Sequence, residues 1–280
     1  MRPDERTRLR LSRLGAAADA DIDLAETAFA LGRRFRPRAA IEPYRRHLER
    51  VARDVDAYAG ETEDGARIHI RAEALGQVVA GRYGYRGADD RQDGPVDRAN
   101  LLSVIDHRRG SAVGLGIIYL EVCRLLGWAC GAVDFPVRML VRLENEGRRE
   151  ILDPFDRGRR VHALELRTML VAERGRDAER RWWHAATLGN REILVRLESG
   201  IKDAYLREGK LEDAREVIET MVLFAPATAA LWRESGLISA KLGDVRAAVA
   251  ALEESLRLGA GDAGNQRTSI LLQELRGRLG

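Results

Sequence analysis

Two cysteines, Cys123 and Cys130, are the only thiols of this chain. A disulfide framework is typical of shorter chains with more cysteine. A zinc site needs further cysteine or histidine partners at metal-ligand spacing, and these two residues lie seven apart without such partners. The sequence therefore predicts no metal and no cofactor, and it predicts that both cysteines are small core residues.

A second reactive group, the hydroxyl of Ser111, stands at the start of a strongly apolar segment. The Gly110-Ser111 pair suits a helix start, and Gly127 suits a helix end. Apolar residues cover almost every face between them, and a helix of that kind is buried. Cys123 lies twelve residues further along, roughly 18 Å from Ser111 at 1.5 Å per residue, so it cannot supply a thiol at that helix end.

Beyond Gly127 the apolar period changes from helical to alternating, which indicates strands. Residues 128–135 predict one strand, and Met139 to Leu143 and Arg149 to Asp153 predict a hairpin. If the hairpin turns through Asn145 and Glu146, Arg138 lies directly opposite Asp153. A buried helix followed by a small antiparallel sheet predicts an α+β domain.

Length and composition set the wider frame. At 280 residues, with 45% hydrophobic and 32% charged, the chain predicts about two globular domains. Only three of the 47 basic residues are lysine, and the net charge of +3 does not favour nucleic-acid binding. The arginines are spread along the chain, as GC-rich coding also produces. Neither a membrane span of about 18 apolar residues nor a secretory signal is visible, which favours a cytoplasmic location.

The segments before Ser111 are predominantly helical. Residues 1–19 are arginine-rich without a sustained apolar period, and we expect a flexible arm or a weak first helix there. Helical spacing predicts helices over 21–35, 43–58, 66–80 and 101–107, and the glycine- and aspartate-rich stretch 82–100 predicts a long functional or mobile loop. A further helix is predicted over 161–187, so that the α+β domain covers residues 20–190.

The last hundred residues repeat with a period of 34, which aligns Gly209 with Gly243 and Ala214 with Ala248. That period and its pattern of small and large residues resemble tetratricopeptide repeats. We expect two units over 195–228 and 229–262 and a closing helix over 266–279, within a repeat region of residues 191–280. Two units are short of the usual three, so the region either caps the first domain or provides a peptide-binding groove.

Four stretches in order, RYGYRG, LLSVIDHRRGSAVGLGIIYLEVCRLLG, FPVRMLVRLE and EILDPFDRG, resemble the bacterial SirB family of transglutaminase-like proteins. The resemblance implies a papain-related core and, in active members of the superfamily, a Cys-His-Asp triad. The helix start of this chain carries Ser111 instead of cysteine. Arg138 follows Phe135-Pro136 where many relatives place histidine, and only Asp153 matches the triad acid.

We see no residue in the sequence that replaces the missing histidine as a general base. Ser111 offers a nucleophile, but the guanidinium of Arg138 stays protonated and cannot act as a general base. His107 and His162 do not come from the required strand. We expect an ion pair between Arg138 and Asp153 where relatives have a His-Asp pair; the alternative is a solvated Arg138.

The resemblance also places Arg108, Arg109 and Arg138 where they could line the former cleft with Ser111. Arginines and helix amides suit a carboxylate or phosphate, and hence an anionic ligand or an acidic partner peptide. Alternatively, Arg108 and Arg109 are surface caps or internal salt-bridge donors.

Three functions follow from these observations. The first is a catalytically degenerate, regulatory scaffold that binds a protein or peptide partner, with the repeats as a second docking surface. The second is an active peptidase or acyl transferase using other residues. The third, nucleic-acid binding by the N-terminal arm, rests on a modest excess of 12 arginines over 8 acids in residues 1–50.

Overall fold

The computed structural model describes residues 3–60, 67–89, 92–136, 138–174, 187–259 and 265–278. The chain forms two compact units, one of residues 1–22 with 194–280 and one of residues 23–193. The first unit therefore combines both chain ends, whereas the sequence predicts a separate arm over residues 1–19.

The unit of residues 23–193 contains seven helices in its described part. Their bounds are α2 Leu24–Gly32, α3 Glu42–Ala59, α4 Arg67–Leu75, α5 Pro95–Ala99, α6 Leu101–His107, α7 Ala112–Leu125 and α8 Ala163–Arg174. A π-helical turn, Gly76–Arg82, extends α4, as the predicted helix 66–80 requires. The stretch 82–100 is not wholly a loop, because α5 begins at Pro95, which is well suited to a first helical turn.

Helix α7 is the central element of this unit. Its buried residues run from Gly114 to Tyr119 and from Glu121 to Cys123, in agreement with the all-round apolar pattern. Gly116 faces the side chain of Met139, which would collide with a Cβ at that position. The glycine therefore lets the helix approach the sheet closely.

The sheet is antiparallel, with strand order β3-β4-β5-β6. Its strands are β3 Cys130–Val133, β4 Leu140–Asn145, β5 Arg148–Asp153 and β6 Arg159–Arg160. Two short parallel segments, β1 Arg86–Gly87 and β2 Arg109–Gly110, pair just before α7. This small sheet within a helical chain confirms the predicted α+β class.

The predicted hairpin register is wrong by two residues. Asn145 pairs with Arg148, so Glu146 and Gly147 form the turn. Both have positive φ, 49° and 77°, as a two-residue type I′ turn requires. A shift of two residues leaves the same side chains on the same face of the sheet. Arg138 is therefore not directly opposite Asp153, since it lies before the first residue of β4.

The predicted helix over 161–187 ends early. Helix α8 stops at Arg174, residues 175–186 lie outside the described part, and Thr187 is extended and forms a bridge with Val133 of β3. The backbone amide of Leu188 also donates to the carbonyl of Ala132 at 2.8 Å. This segment leads into the helices of the other unit.

The unit of residues 1–22 and 194–280 is all-helical in its described part. Its elements are α1 Glu5–Ala16, a short 3₁₀ turn at Asp19–Asp21, α9 Asn190–Arg207, α10 Leu211–Phe224, α11 Ala229–Lys241, α12 Val245–Leu258 and α13 Asn265–Gly277. The first four residues of α9, 190–193, belong to the other unit. Helices α9 to α12 form two antiparallel pairs, and α13 packs on α12. Gly209 and Gly243, with φ of 72° and 77°, make the corresponding turns within the two pairs.

Of the two structures expected for residues 1–19, the structure has the helix, α1, and not the flexible arm. Asp4 caps it by accepting a hydrogen bond from the amide of Thr7 at 2.7 Å. Its buried side chain is Leu11, and the helix packs on α10, where a Cβ on Gly15 would lie 2.5 Å from the carbonyl oxygen of Leu223. No helix in the described part of the chain is long and apolar enough to cross a membrane.

Candidate functional site

Ser111 is the N-cap of α7. Its hydroxyl oxygen accepts a hydrogen bond from the amide of Gly114 at 3.1 Å, and its own amide donates to the carbonyl of Arg98 at 2.8 Å. These bonds satisfy a helix-end amide and fix the entry of the chain into α7. The serine thus has a defined structural role at the start of the buried helix.

Arg138 and Asp153 lie together at the ends of β4 and β5. The Nε atom of Arg138 is 3.7 Å from Oδ2 of Asp153, whose side chain is 3% exposed against 29% for the arginine. The guanidinium carbon also lies 4.9 Å from the ring centre of Phe155, within the range of a cation–π contact. Arg138 therefore covers a buried carboxylate and rests on an aromatic ring.

The carboxylate of Asp153 also organises the turn after β5. Its Oδ1 accepts hydrogen bonds from the amides of Phe155 at 3.0 Å and Asp156 at 3.2 Å. Burial raises the pKa of Asp153, and the Arg138 charge and the two amide bonds oppose that effect without cancelling it. Desolvation thus has the largest effect on the pKa of Asp153.

Tyr119 and Phe155 complete the surroundings of Asp153, although the sequence did not single them out. Tyr119 is fully buried, and its hydroxyl has no hydrogen-bond partner among the described residues. Burial raises its pKa, and the charge of Asp153 adds to the effect. A tyrosine on an otherwise aliphatic helix, two turns beyond Ser111, is the signal that could have identified it.

Two glycines leave room for the rings of Tyr119 and Phe155. Tyr119 occupies the space that a Cβ on Gly158 would need, and a Cβ on Gly87 would lie 2.6 Å from the ring of Phe155. The amide of Gly87 also donates to the carbonyl of Phe155 at 2.8 Å. The turn after β5 is therefore held against β1 on one side and α7 on the other.

Arg108 is engaged inside the unit. It adopts a left-handed conformation with φ of 58°, and its guanidinium donates to Nε2 of His47 at 2.8 Å and to the Tyr85 hydroxyl. The Nε2 atom of His47 also lies 2.8 Å from the hydroxyl oxygen of Tyr85. Burial and the neighbouring Arg108 lower the pKa of His47 to about 4, so this imidazole is neutral at pH 7.

Arg109 also has partners of its own. It forms an ion pair with Asp93 at 3.1 Å and donates to the side chain of Gln92 at 3.1 Å. Internal donors, the alternative expected from the sequence, describe the observed contacts of Arg108 and Arg109. Of the three arginines, the structure brings Arg138 to Asp153.

The two histidines that the sequence analysis set aside as substitutes lie away from Asp153 in chain position and add no contact to it among the described residues. His107 and His162 are exposed. Among the residues that the structure describes, no group of three or more His, Cys, Asp and Glu side chains could hold a metal ion.

Comparison with known proteins gives this architecture a family. A model of the transglutaminase-like superfamily matches residues 42–199, more than half of the chain. The chain belongs to the transglutaminase-like superfamily. A tetratricopeptide-repeat model matches residues 201–273 directly behind that domain, which confirms both the predicted resemblance and the predicted repeats.

Several bacterial relatives share most of this transglutaminase-like chain. A UPF0162 protein of Vibrio cholerae is 29% identical over 79% of this chain and 80% of its own. A UPF0162 protein of Xylella fastidiosa is 28% identical over 73% of both chains, and protein SirB1 of Salmonella typhimurium is 28% identical over 64% and 68%. A solved structure of menin aligns with 92% of this chain and 70% of its own at a TM-score of 0.40 and 12% identity, too low for a fold assignment.

The contacts of Asp153 limit the chemistry of this transglutaminase-like domain. Its described neighbours are the guanidinium of Arg138, the phenol of Tyr119 and the two amides of the following turn. None of these groups takes up a proton near neutral pH. The arrangement can neutralise a buried carboxylate and order a turn, and the described residues that contact Asp153 include no histidine.

Proposed function

We propose that this chain is a catalytically degenerate transglutaminase-like protein that acts as a regulatory scaffold for protein partners. The repeat unit provides a second docking surface in this proposal. The observation that carries it is the contact between Arg138 and Asp153, at 3.7 Å between Nε and Oδ2. A permanent cation covers the carboxylate that the superfamily resemblance assigns to the triad acid.

Acyl transfer by this superfamily needs a nucleophile, a base and an acid that orients the base. In this chain the hydroxyl of Ser111 serves as the cap of α7, and the residue beside Asp153 is an arginine. An arginine cannot remove the proton of a hydroxyl because its pKa lies above about 12. The loss of both groups supports a binding role for the domain.

The repeat unit supports the same role. Helix α11 exposes Arg233, Leu237 and Lys241, which are spaced four residues apart and therefore follow one face of the helix. Leu237 is 40% exposed, more than most leucines of the chain. A leucine between two cations suits a peptide that carries acidic side chains on either side of an apolar one. We infer that such a peptide is the ligand class of this face, the α11 stripe.

A turnover assay tests the degenerate domain. We expect glutamine-containing peptides with an amine acceptor or water to give no product above the uncatalysed reaction. Turnover that the Ser111→Ala variant abolishes would establish the enzyme instead and would overturn the proposal.

Peptide binding tests the α11 stripe separately. A fluorescent peptide of alternating acidic and apolar residues is titrated against the full chain, with a basic peptide of equal length as comparison. We expect Leu237→Asp to weaken binding of the acidic peptide at least tenfold, whereas Arg246→Glu, an exposed position on α12, leaves the affinity within about twofold. Equal loss in both variants would reduce the interaction to net charge and contradict a specific site.

A further inference from the structure

The two cysteines of the chain meet at the junction of α7 and β3. Cys123 lies in the last turn of α7 and Cys130 is the first residue of β3. The intervening turn closes through Gly127, with φ of 65°, and the amide of Trp128 donates to the carbonyl of Cys123 at 2.9 Å. The turn packs the end of α7 against β3 and places Cys130 beside the Cys123 thiol as its side-chain hydrogen-bond partner.

The two thiols differ in environment. Cys123 is fully buried, whereas Cys130 is half-buried at the strand edge. The hydrogen bond to Cys130 and burial raise the pKa of the Cys123 thiol. The sulfur of Cys130 is the one that reagents reach first, because it is the less buried of the two.

Arg71 supplies a cation next to this pair. Its guanidinium carbon lies 4.9 Å from the ring centre of Trp128, and one of its nitrogens donates to the side chain of Asn145 at 3.4 Å. The charge of Arg71 acts on the Cys123 thiol in the direction that favours the thiolate. Arg71 is thus placed to support Cys123 at the moment when it must lose its proton.

We propose that Cys123 and Cys130 form a redox-active dithiol site that low-molecular-weight disulfides oxidise to an intramolecular disulfide. The Cys130 thiol loses its proton to water, and its sulfur attacks one sulfur of oxidised glutathione, forms a mixed disulfide and releases one glutathione thiolate. Cys123 then transfers its proton to a thiolate or water and attacks the Cys130 sulfur, releasing the second glutathione. Two protein thiols and one glutathione disulfide thus become one protein disulfide and two glutathione thiols.

The position of the pair gives the oxidation a structural consequence. Strand β3 bears the segment that precedes α9, because Val133 forms a bridge with Thr187 and Ala132 accepts from the amide of Leu188. A Cβ on Gly131, next to Cys130, would lie 2.9 Å from the Cβ of Thr187. A disulfide at Cys130 joins this strand covalently to α7, so it restrains the strand edge that contacts residues 187 and 188.

Peptide mapping of the full chain tests the site directly. Trypsin separates the thiols into the peptides 110–124 and 125–138, because Arg109, Arg124 and Arg138 precede the cleavage points. After incubation with oxidised glutathione and blocking of free thiols, we expect these two peptides to be joined, and dithiothreitol to separate them. A stable glutathione adduct on Cys130 with Cys123 free, a dimer linked through Cys130, or unreacted thiols would each overturn the proposal.

Single variants test the assigned order of attack. Cys123→Ala lacks the second thiol, and we expect it to accumulate the glutathione adduct on Cys130. Cys130→Ala leaves only the buried thiol, which we expect to react at least tenfold more slowly. Arg71→Met should slow closure of the disulfide about tenfold without slowing formation of the mixed disulfide, whereas Arg53→Met, an exposed position on α3, should change neither step. Equal reactivity of the two single cysteine variants would contradict the assignment.

Two measurements on the wild-type chain give the structural effect. A disulfide across this short turn should raise the melting temperature of the domain by about 5 °C. Amide hydrogen exchange should slow in residues 126–133 and 187–189 after oxidation. An oxidised chain with unchanged exchange in both segments would show that the disulfide does not restrain the strand edge.

Discussion

The carboxylate of Asp153 lies at the end of β5 with its Oδ2 atom 3.7 Å from Nε of Arg138. The aspartate is 2% exposed, so its negative charge is removed from water and compensated by one cation and two backbone amides. Compensation of this kind stabilises a buried charge only in part. Burial therefore keeps the pKa of Asp153 above its usual range.

The raised pKa predicts how Asp153 contributes to stability at different pH. Because the folded pKa exceeds the unfolded one, the folded state holds the proton more tightly, and the free energy of unfolding falls as the pH rises through that window. Each pKa unit of difference corresponds to about 1.4 kcal/mol. We expect the free energy of unfolding of Asp153→Asn, relative to wild type, to improve between pH 3.5 and pH 7.

Urea denaturation of both proteins at several pH values, followed by circular dichroism, measures this difference. Asp56→Asn, at an exposed position of α3, serves as the control. A difference between wild type and Asp153→Asn that stays constant with pH would mean that the carboxylate is not destabilised by burial.

His47 predicts a pH dependence of the opposite sign. Its pKa is lowered to about 4 by burial and by Arg108, so protonation favours the unfolded state, whose histidine titrates near pH 6.5. Stability should fall as the pH drops from about 6.5 to 4. The loss from this residue should be about 1–2 kcal/mol, since partial exposure of the ring screens the effect. His47→Gln should flatten the profile in this range.

An NMR titration of the imidazole in the full chain checks the cause. His107, an exposed imidazole at the end of α6, is recorded in the same spectra for comparison. A His47 resonance that titrates near pH 6.5 would show that Arg108 and burial do not hold the ring neutral.

Gly158 and Tyr119 predict a steric dependence between α7 and the turn after β5. Gly158 has a φ of 67°, and a Cβ there would collide with the Tyr119 hydroxyl. We expect Gly158→Ala to cost about 2–4 kcal/mol, from the left-handed backbone and the overlap together. Tyr119→Phe should lie within about 1 kcal/mol of wild type because the buried hydroxyl has no hydrogen-bond partner among the described residues.

A double-mutant cycle separates the two causes. The Gly158→Ala cost should be smaller in the Tyr119→Phe background, because the overlapping oxygen is gone. Equal costs in the two backgrounds would assign the whole effect to backbone conformation.

The helical and repeat patterns of this sequence predict long elements well. Apolar residues on all faces of 111–126 predict the buried helix α7, and the 34-residue period predicts the paired helices behind it. Helix α1 is predicted only as an alternative to a flexible arm, because Leu11 is its one buried side chain. Its stability depends on packing against α10, a contact about two hundred residues away in the chain that leaves no local pattern.

The sequence predicted only that part of the candidate site whose residues are close together in the chain. The pairing of Arg138 with Asp153 follows from a hairpin, and it survives an error of two residues because a long arginine reaches a diagonal neighbour. The turn was misplaced because Glu146 takes a left-handed conformation that asparagine or glycine usually adopts. The contacts of Arg108 with His47 and Tyr85 join distant segments, so no spacing signals them.

Lys202 and Glu234 give a final prediction for the repeat unit. Lys202 is 4% exposed on α9, and its ammonium contacts Glu234 of α11 and lies 3.3 Å from Asp203. Removal of the Glu234 carboxylate leaves the buried ammonium of Lys202 with less compensating charge. Removal of the lysine leaves the Glu234 carboxylate, which is 37% exposed and therefore in contact with water. We expect Glu234→Ala to cost about 1–3 kcal/mol of unfolding free energy and Lys202→Met less than 1 kcal/mol.

Thermal unfolding monitored by circular dichroism compares the two variants with Arg233→Ala, an exposed neighbour on the same helix. A larger loss for Lys202→Met than for Glu234→Ala would show that the lysine stem, and not its charge, matters at this contact.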